Sequence, residues 1–335
     1  MSEYTIWWID DSEDRAKDAD RLSDFAPELS VQFSGPSEAV DRLDEADNLS
    51  EVDLVLIDWK LNEHGDFLGK GLTMAGKVSE ELPETPLYGF SSEVSELRAT
   101  ATREQFEETY DVSELQSKEG ALNIKLDLDS YTEIKNVRGE GLQELIKLLD
   151  PPEAAIEDLK SIIPREYTDG LKSDPKINGG SIIEFGEWVR NRFLETPGPL
   201  WDDDWTATKI GLQPDALSGY TDELNGTKHG DATYSGIFSH RKSRRWWSTQ
   251  VIDAVVALAK NRDVRLGELT TVGEVVLGES EKISVCEVCG EDYPDILAAG
   301  RDGEDADAPV HLGCSHIHHT REGTFEDYRI ADRLK

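Results

Sequence analysis

The chain has 335 residues, which is long enough for two or three domains with separate cores. Its 70 acidic residues outnumber its 35 basic residues, and the formal net charge of −35 opposes nucleic-acid binding over the surface as a whole. No stretch approaches the 18 apolar residues of a membrane span, and the amino terminus lacks a signal-peptide pattern, so we expect a cytoplasmic protein that does not enter the membrane.

The acidic residues are spread along the whole chain rather than gathered in one tail. An intrinsically disordered acidic protein is one interpretation of this composition, but eight tryptophans and regular apolar periodicity argue against it. So high a density of acidic residues is typical of a protein surface adapted to a salt-rich cytoplasm. There, molar salt shortens the electrostatic screening length to about 3 Å. We therefore expect a salt-requiring protein from a halophilic cell.

Short apolar strands alternate with amphipathic helices over the first 150 residues. This alternation predicts βαβ units and a parallel sheet. Strands are predicted at Tyr4–Ile9, Val31–Phe33, Leu54–Ile57 and Pro86–Phe90, and the helices that follow them carry Ala19 and Leu22, Val40 and Leu43, Ala75 and Val78, and Leu97. Ser12 is expected to cap the first helix, and Leu142–Leu149 forms the last one.

Polar side chains follow three of these strands. Asp10 and Asp11 follow the first strand, Asp58 ends the third, and Ser91 ends the fourth. Because the carboxyl ends of parallel strands face the crevice where α/β sheets bind ligands, we expect these side chains to meet. A single aspartate in so acidic a chain is ordinary surface, but the ordered set of three predicts an acidic pocket.

The ordered set resembles the receiver domain of two-component response regulators over residues 4–118. The resemblance implies a doubly wound, five-stranded parallel sheet of the flavodoxin-like type. It implies that Asp58 accepts a phosphoryl group from a sensor histidine kinase or another phosphodonor, that Asp10, Asp11 and Asp58 hold Mg²⁺, and that Ser91 bonds a phosphoryl oxygen. Ser92 is an alternative to Ser91, and either hydroxyl can instead cap a helix.

Receiver domains also place a lysine at the end of a fifth strand, usually before a proline. Lys118 is the best match, although Glu119 follows it, and Lys125 is the alternative. The long segment between Glu119 and Glu140 departs from the family pattern and leaves the fifth strand in question. The resemblance therefore allows a pocket that binds Mg²⁺ but accepts phosphate poorly.

Prolines and composition divide the remainder of the chain. Pro151 and Pro152 end the receiver-like domain at residue 150, and a connecting helix and linker are predicted over 151–180. A mainly helical output domain is predicted over 181–278, with helices at Ser181–Leu194 and Val251–Ala259. A small metal-binding module is predicted over 279–335.

A basic and aromatic stretch, Tyr234–Trp247, stands out from the acidic background. It contains four basic residues and a tryptophan pair: Arg241, Lys242, Arg244, Arg245, Trp246 and Trp247. Cations beside aromatic rings can grip phosphate and stack on bases, which would make a nucleic-acid site. We favour an internal clamp in which the cations pair with Asp202–Asp204 and the tryptophans are core.

All three cysteines fall in one short carboxyl-terminal stretch. Cys286 and Cys289 form a CxxCG knuckle, and His311 and Cys314 follow after 21 intervening residues. Thiolates and an imidazole at this spacing suit tetrahedral Zn²⁺, and a full set of four protein ligands makes the site structural. The pattern resembles zinc-ribbon and treble-clef modules. His316, His318 and His319 follow and offer alternative ligands for a catalytic metal.

The leading hypothesis is a cytoplasmic signalling protein whose receiver-like domain regulates a zinc-containing output region, with catalysis limited to its own phosphorylation and dephosphorylation. The output region is expected to have a protein partner. One alternative is a receiver-regulated enzyme such as a nuclease, although no nucleophile–base pair is evident in the middle region. Another is a nucleic-acid-binding regulator that acts through Arg241–Arg245.

Overall fold

The computed structural model describes residues 4–45, 49, 51–61, 70–100, 105–170, 181–226, 231–263, 265, 271–275, 277–278, 282–300 and 307–316. Several sequence predictions lie outside this part of the chain: the linker at 171–180, and His318 and His319. The described residues form two compact units. The first contains residues up to Leu145 together with Pro164–Val189, and the second contains Ile146–Ile163 and the residues from Arg190 onward.

The first unit is built on a five-stranded parallel sheet in the order β2-β1-β3-β4-β5. This is the flavodoxin-like, doubly wound order that the resemblance implied, and its parallel strands confirm the prediction from the alternating strands and helices. The strands are β1 (Tyr4–Ile9), β2 (Leu29–Ser34), β3 (Leu54–Asp58), β4 (Leu87–Ser91) and β5 (Glu108–Asp111). Its helices are α1 (Ala16–Phe25), α2 (Pro36–Asp44), α3 (Gly71–Glu81), α4 (Val94–Thr100), α5 (Val112–Leu115) and α6 (Lys118–Asn136).

The sheet separates two apolar layers. Along β1, Ile6 and Trp8 face the layer that contains residues of α1, α5 and α6, whereas Trp7 and Ile9 face the layer of α2, α3 and α4. All four side chains are fully buried. Because both faces are covered, the central strands are continuously apolar rather than alternating, as expected for a parallel sheet.

The fifth strand, which the sequence left in question, lies before Lys118. Residues 118–136 form a 19-residue helix, so Lys118 does not end a strand. The sequence of β5 has no apolar strand pattern, because only Tyr110 among its four residues is buried. The helix carries a clear 3–4 residue apolar repeat: Ala121, Ile124, Leu128, Tyr131 and Ile134.

The boundaries of the two units also differ from the predicted domain borders. Helix α7 (Leu142–Leu148) spans the border at residue 145. Helices α9 (Arg165–Gly170) and α10 (Ser181–Trp188) belong to the first unit, because α10 packs on both α6 and α9. A π-helical turn at Val189–Phe193 follows α10, where the prediction continued a regular helix to Leu194.

The second unit is mainly helical. Its regular elements are α8 (Ile156–Ile162), β6 (Leu200–Trp201), α11 (Asp203–Lys209), α12 (Pro214–Leu217), α13 (Thr221–Asn225), β7 (Trp246–Trp247), α14 (Ser248–Asn261), α15 (Val272–Val275), β8 (Ile296–Leu297) and β9 (Pro309–Val310). The short strands pair as two antiparallel ladders, β6–β7 and β8–β9. Within the described residues, no helix is both long and apolar enough to cross a membrane.

The predicted zinc module shares its core with the predicted output domain. One apolar cluster joins Trp205 and Val251 to Cys286, Ile296 and Val310. The two parts are therefore one packed body, since buried side chains from both stretches fill the same interior.

Candidate functional sites

Three carboxylates meet at the carboxyl edge of the central strands in the first unit. Asp10 directly follows β1, and Asp58 is the last residue of β3, which is the strand next to β1. One carboxylate oxygen from each of Asp10, Asp11 and Asp58 lies within 4.8 Å of the other two. Asp10 is 1% exposed and Asp58 is 9% exposed, so two of the three charges are buried.

Hydrogen bonds hold Asp10 in place. Its Oδ1 accepts a bond of 2.8 Å from the backbone N–H of Ser12, and its Oδ2 accepts a long one of 3.5 Å from the Trp8 indole. Burial nevertheless raises the pKa of Asp10, since the desolvation of its charge outweighs these bonds. Ser12 thus serves the site through its backbone, and the prediction that its side chain caps a helix is wrong.

The pKa of Asp58 is raised to about 7, mainly by burial and next by the neighbouring charge of Asp10. The Arg15 cation and a hydrogen bond from the backbone of Lys60 oppose the rise but do not cancel it. A carboxylate with this pKa is half protonated near neutral pH. A cation in the pocket would relieve both the desolvation and the repulsion.

Ser91 ends β4, the strand that pairs with β3 on the side away from β1. It is 1% exposed, and its Oγ accepts a bond of 3.0 Å from the backbone N–H of Glu93. The hydroxyl therefore stabilises the turn into α4, as the alternative interpretation of Ser91 and Ser92 allowed. A hydroxyl has one donor and two acceptor positions, so this bond leaves it able to donate.

Neither predicted lysine lies at the end of a strand. Lys118 opens α6, and Lys125 lies two turns into α6 with its Nζ 2.6 Å from Asp129. The prediction that Lys118 ends the fifth strand is wrong, because β5 stops seven residues earlier at Asp111. Asp111 pairs with Ser91 across the sheet.

Asp111 stabilises local structure rather than the pocket. Its Oδ1 accepts a bond of 2.8 Å from the Ser113 backbone, and its own N–H donates to Glu114, which completes a capping box on α5. The Ser113 bonds hold its pKa below the usual value, and the charges of Arg98 and Arg15 act in the same direction.

Sequence reasoning missed two cations near the pocket. Arg15 ends a 3₁₀ turn before α1, and its Nε lies 3.8 Å from Asp10 Oδ2. Lys60 follows Asp58 by two residues and pairs with Glu93 at 2.9 Å and Glu96 at 3.6 Å. The available signal was a basic residue in the segment DDSEDR, directly after the first acidic pair.

The pocket suits a hard divalent cation. Every candidate donor is a carboxylate oxygen, which is the ligand type that Mg²⁺ prefers. Two buried carboxylates with raised pKa values gain most from such an ion, because it returns them to the charged form. Asp10, Asp11 and Asp58 would hold the metal.

A second cluster lies in the second unit, and the structure brings together the four residues predicted there. One ligand atom from each of Cys286, Cys289, His311 and Cys314 lies within 4.8 Å of the others. Cys289 Sγ is 3.4 Å from His311 Nδ1. The other ring nitrogen of His311, Nε2, lies 3.1 Å from the carbonyl oxygen of Asp292, an arrangement that would orient Nδ1 toward a metal.

The local backbone explains why these four side chains converge. Gly290 has a φ of +74° and donates its N–H to the Cys286 carbonyl, which closes the knuckle between the first two cysteines. The β8–β9 ladder leads directly into His311. Burial acts to raise the pKa of Cys286, but bonds from the backbone of Cys289, His311 and Val288 outweigh it and bring it to about 6.

The basic cluster of the second unit is an internal clamp. Arg244 binds Asp203 with two bonds of 2.9 Å, from Nε to Oδ1 and from Nη2 to Oδ2. The indole of Trp246 donates to the same Asp203 at 2.6 Å, and both Trp246 and Trp247 are buried. Arg245 Nε donates to the Leu194 carbonyl at 2.7 Å, and Lys242 pairs with Glu195. These contacts favour the clamp over a nucleic-acid site.

The chain aligns with several solved structures of other proteins. The signal receiver domain of an HD domain-containing protein from Pseudomonas fluorescens Pf-5 aligns at 14% identity and a TM-score of 0.29, over 38% of this chain and 88% of that one. NtrX from Brucella abortus aligns at 19% identity and a TM-score of 0.33, over 50% of this chain and 35% of that one. The RcsB response regulator of Salmonella typhimurium aligns at 13% identity and a TM-score of 0.30, over 55% of this chain and 99% of that one.

A scan against protein-family models finds no match, and neither does a search of curated proteins. At these identities and TM-scores the structural similarities assign no activity to this chain.

Proposed function

We propose that this protein is a signalling protein whose first unit accepts a phosphoryl group on Asp58 in a Mg²⁺-dependent reaction. The observation that carries the proposal is the meeting of Asp10, Asp11 and Asp58 within 4.8 Å at the ends of adjacent parallel strands. Ser91 ends the next strand along the sheet. A sensor histidine kinase or a small phosphodonor would supply the phosphoryl group.

In the reaction, a carboxylate oxygen of Asp58 forms a bond to the phosphorus atom. The bond from phosphorus to the donor breaks, and its electron pair leaves with the donor group. The product is an acyl phosphate on Asp58. Asp10 and Asp11 would keep the metal beside it, and the Ser91 hydroxyl would donate to a phosphoryl oxygen. When bound, Mg²⁺ supplies the positive charge that offsets negative charge on the transferred group.

The direct test is incubation of the full chain in high salt with radiolabelled acetyl phosphate. We expect acid-stable, base-labile label that depends on Mg²⁺ and disappears in Asp58→Asn. Asp53→Asn is a matched control, since Asp53 precedes the same strand but lies outside the acidic cluster. Absence of label in the unmodified protein with Mg²⁺ present would contradict the proposal.

For the second unit we propose a structural zinc site made by Cys286, Cys289, His311 and Cys314. Four protein ligands complete a tetrahedral shell, so the metal would stabilise the fold rather than activate water. The shared core predicts that zinc loss affects the whole second unit.

Elemental analysis tests the zinc assignment. We expect about one zinc per chain, lost in Cys289→Ser and retained in His316→Ala. Full zinc content in Cys289→Ser would overturn the ligand set.

A further inference from the structure

The end of β5 carries an acidic residue where the resembling family carries a lysine. Asp111 ends the strand and is held in its capping box, while Lys118 and Lys125 both lie on α6. An acyl phosphate on Asp58 beside the Asp10 and Asp11 carboxylates nevertheless needs a cation besides the metal, because the phosphoryl oxygens add further negative charge. The cation must come from another element.

Arg15 lies at the site. Its Nε is 3.8 Å from Asp10 Oδ2, and its side chain is 25% exposed. Its Nη1 atom is buried and has no hydrogen-bond partner among the residues that the structure describes. Burying a guanidinium N–H without an acceptor costs free energy, so this donor is poised for an acceptor that the protein itself does not supply.

The charge of Arg15 acts on carboxylates at three strand ends. It opposes the rise in the pKa of Asp10 and of Asp58, and it adds to the lowering of the pKa of Asp111. Arg15 therefore acts on the residue after β1 and on the last residues of β3 and β5. A guanidinium carries several donors in a rigid fork, so Nε can stay with Asp10 while Nη1 binds another oxygen.

Lys60 is the competing candidate, and its contacts argue against it. Its ammonium group lies 2.9 Å from Glu93 and 3.6 Å from Glu96, two carboxylates at the start of α4. Moving Lys60 to a phosphoryl group would break both ion pairs. Arg15 would gain a partner for a buried donor without losing one.

We infer that Arg15 is the phosphoryl-binding cation of this site: its Nη1 donates to an oxygen of the phosphoryl group on Asp58, the task that a lysine on strand five performs in the resembling family. The inference rests on the proposed function. The transfer itself is unchanged: the bond from Asp58 to phosphorus forms, and the bond from phosphorus to the donor breaks with its electron pair leaving on the donor. With acetyl phosphate the leaving group is acetate.

Two measurements on the full chain test the inference. Mg²⁺ affinity and the affinity for beryllium fluoride in saturating Mg²⁺ are both followed by tryptophan fluorescence, since the Trp8 indole contacts Asp10. The variants are Arg15→Gln, Arg15→Lys, Lys60→Gln and Lys118→Gln. Beryllium fluoride mimics a phosphoryl group on a carboxylate, and Mg²⁺ binding reports that a variant is folded and its carboxylates are in place.

We expect Arg15→Gln to bind Mg²⁺ at least as tightly as the unmodified protein, because a competing cation is gone. It should bind beryllium fluoride about 10- to 100-fold more weakly, the usual loss for a charge-assisted hydrogen bond. Arg15→Lys should recover part of the affinity, and Lys60→Gln and Lys118→Gln should lose less than about threefold.

Three outcomes would overturn the inference. Unchanged beryllium fluoride affinity in Arg15→Gln would show that Arg15 does not contact the phosphoryl group. Loss of Mg²⁺ binding in both Arg15 variants would show that Arg15 only holds Asp10 in position for the metal. A larger loss in Lys60→Gln than in Arg15→Gln would assign the role to Lys60. Failure of the unmodified protein to bind beryllium fluoride with Mg²⁺ would instead reject the proposed function itself, and the inference with it.

Discussion

Asp58 is a buried acid among other acids, and this environment sets how the stability of the first unit depends on pH. Its pKa is raised from 3.8 to about 7 in the folded protein, mainly by burial. Between these two values the folded state holds a proton that the unfolded state has released. Stability therefore falls as pH rises through this window and levels off above about pH 7.

Asp58→Asn should remove most of this dependence. Each pKa unit corresponds to about 1.4 kcal/mol, so we expect the metal-free variant to be roughly 2–4 kcal/mol more stable than the unmodified protein at pH 8, and about equal to it near pH 4. Denaturant titrations at the two pH values, in a chelator and constant salt, measure the difference. Mg²⁺ should reverse the order at pH 8. If Asp58→Asn and the unmodified protein were equally stable at both pH values, burial would not raise the pKa of Asp58.

Asp203 is the residue on which the clamp of the second unit depends. It accepts from Arg244 and from Trp246, so its removal leaves a buried indole N–H and a guanidinium without their partner. We expect Asp203→Ala to destabilise the protein by about 1–3 kcal/mol. The exposed neighbour Asp204 is the matched control, and Asp204→Ala should cost less than about 0.5 kcal/mol. A similar cost for both variants would mean that the clamp contributes little.

Helix α3 approaches the carboxyl end of β3 more closely than a side chain allows. A Cβ atom on Gly71, the first residue of α3, would lie 2.4 Å from the Asp58 carbonyl oxygen and 2.9 Å from the Trp59 Cα. Both neighbours are backbone atoms that cannot rotate away. The glycine therefore allows the helix to start beside the acidic pocket.

Gly71→Ala should displace the backbone of Asp58. We expect a loss of about 1–3 kcal/mol in stability and a Mg²⁺ affinity reduced about tenfold, since the carboxylate moves with its backbone. Gly76→Ala, in the middle of the same helix, meets no atom within 4 Å and should stabilise the protein by about 0.5–1 kcal/mol. Calorimetry and metal titration of the pair distinguish a local clash from a general effect on the helix. Unchanged Mg²⁺ affinity in Gly71→Ala would contradict the close approach.

The net charge of −35 acts on the whole molecule. Like charges spread over the surface repel one another and disfavour the compact state, and salt screens that repulsion. We expect the thermal midpoint to rise continuously between 0.1 and 2 M KCl, as the screening length falls from about 10 Å to about 3 Å or less. Chloride is the appropriate salt, because sulfate would also strengthen apolar burial. A midpoint that stays constant over this range would contradict the prediction of a salt-requiring protein.

The sequence by itself determined the parallel sheet, the acidic strand ends and the cysteine–histidine cluster. Each follows from residues close together in the chain. Apolar runs form the strands, residues at the strand ends reach the same edge of the sheet, and the CxxC spacing brings two thiols together. Asp10, Asp58 and Ser91 could therefore be placed without coordinates. The long helix α6 also has a local signal in its apolar repeat.

The tertiary structure alone decided how these parts are completed. Strand β5 has only one buried residue, so its register with β4 depends on pairing rather than on its own pattern. That register puts Asp111 where a lysine was expected and leaves Lys118 on a helix. Whether a cation such as Arg15 or Lys60 reaches the pocket depends on the path of loops between elements. Pairing and loop paths join residues far apart in the chain, and local periodicity carries no information about them.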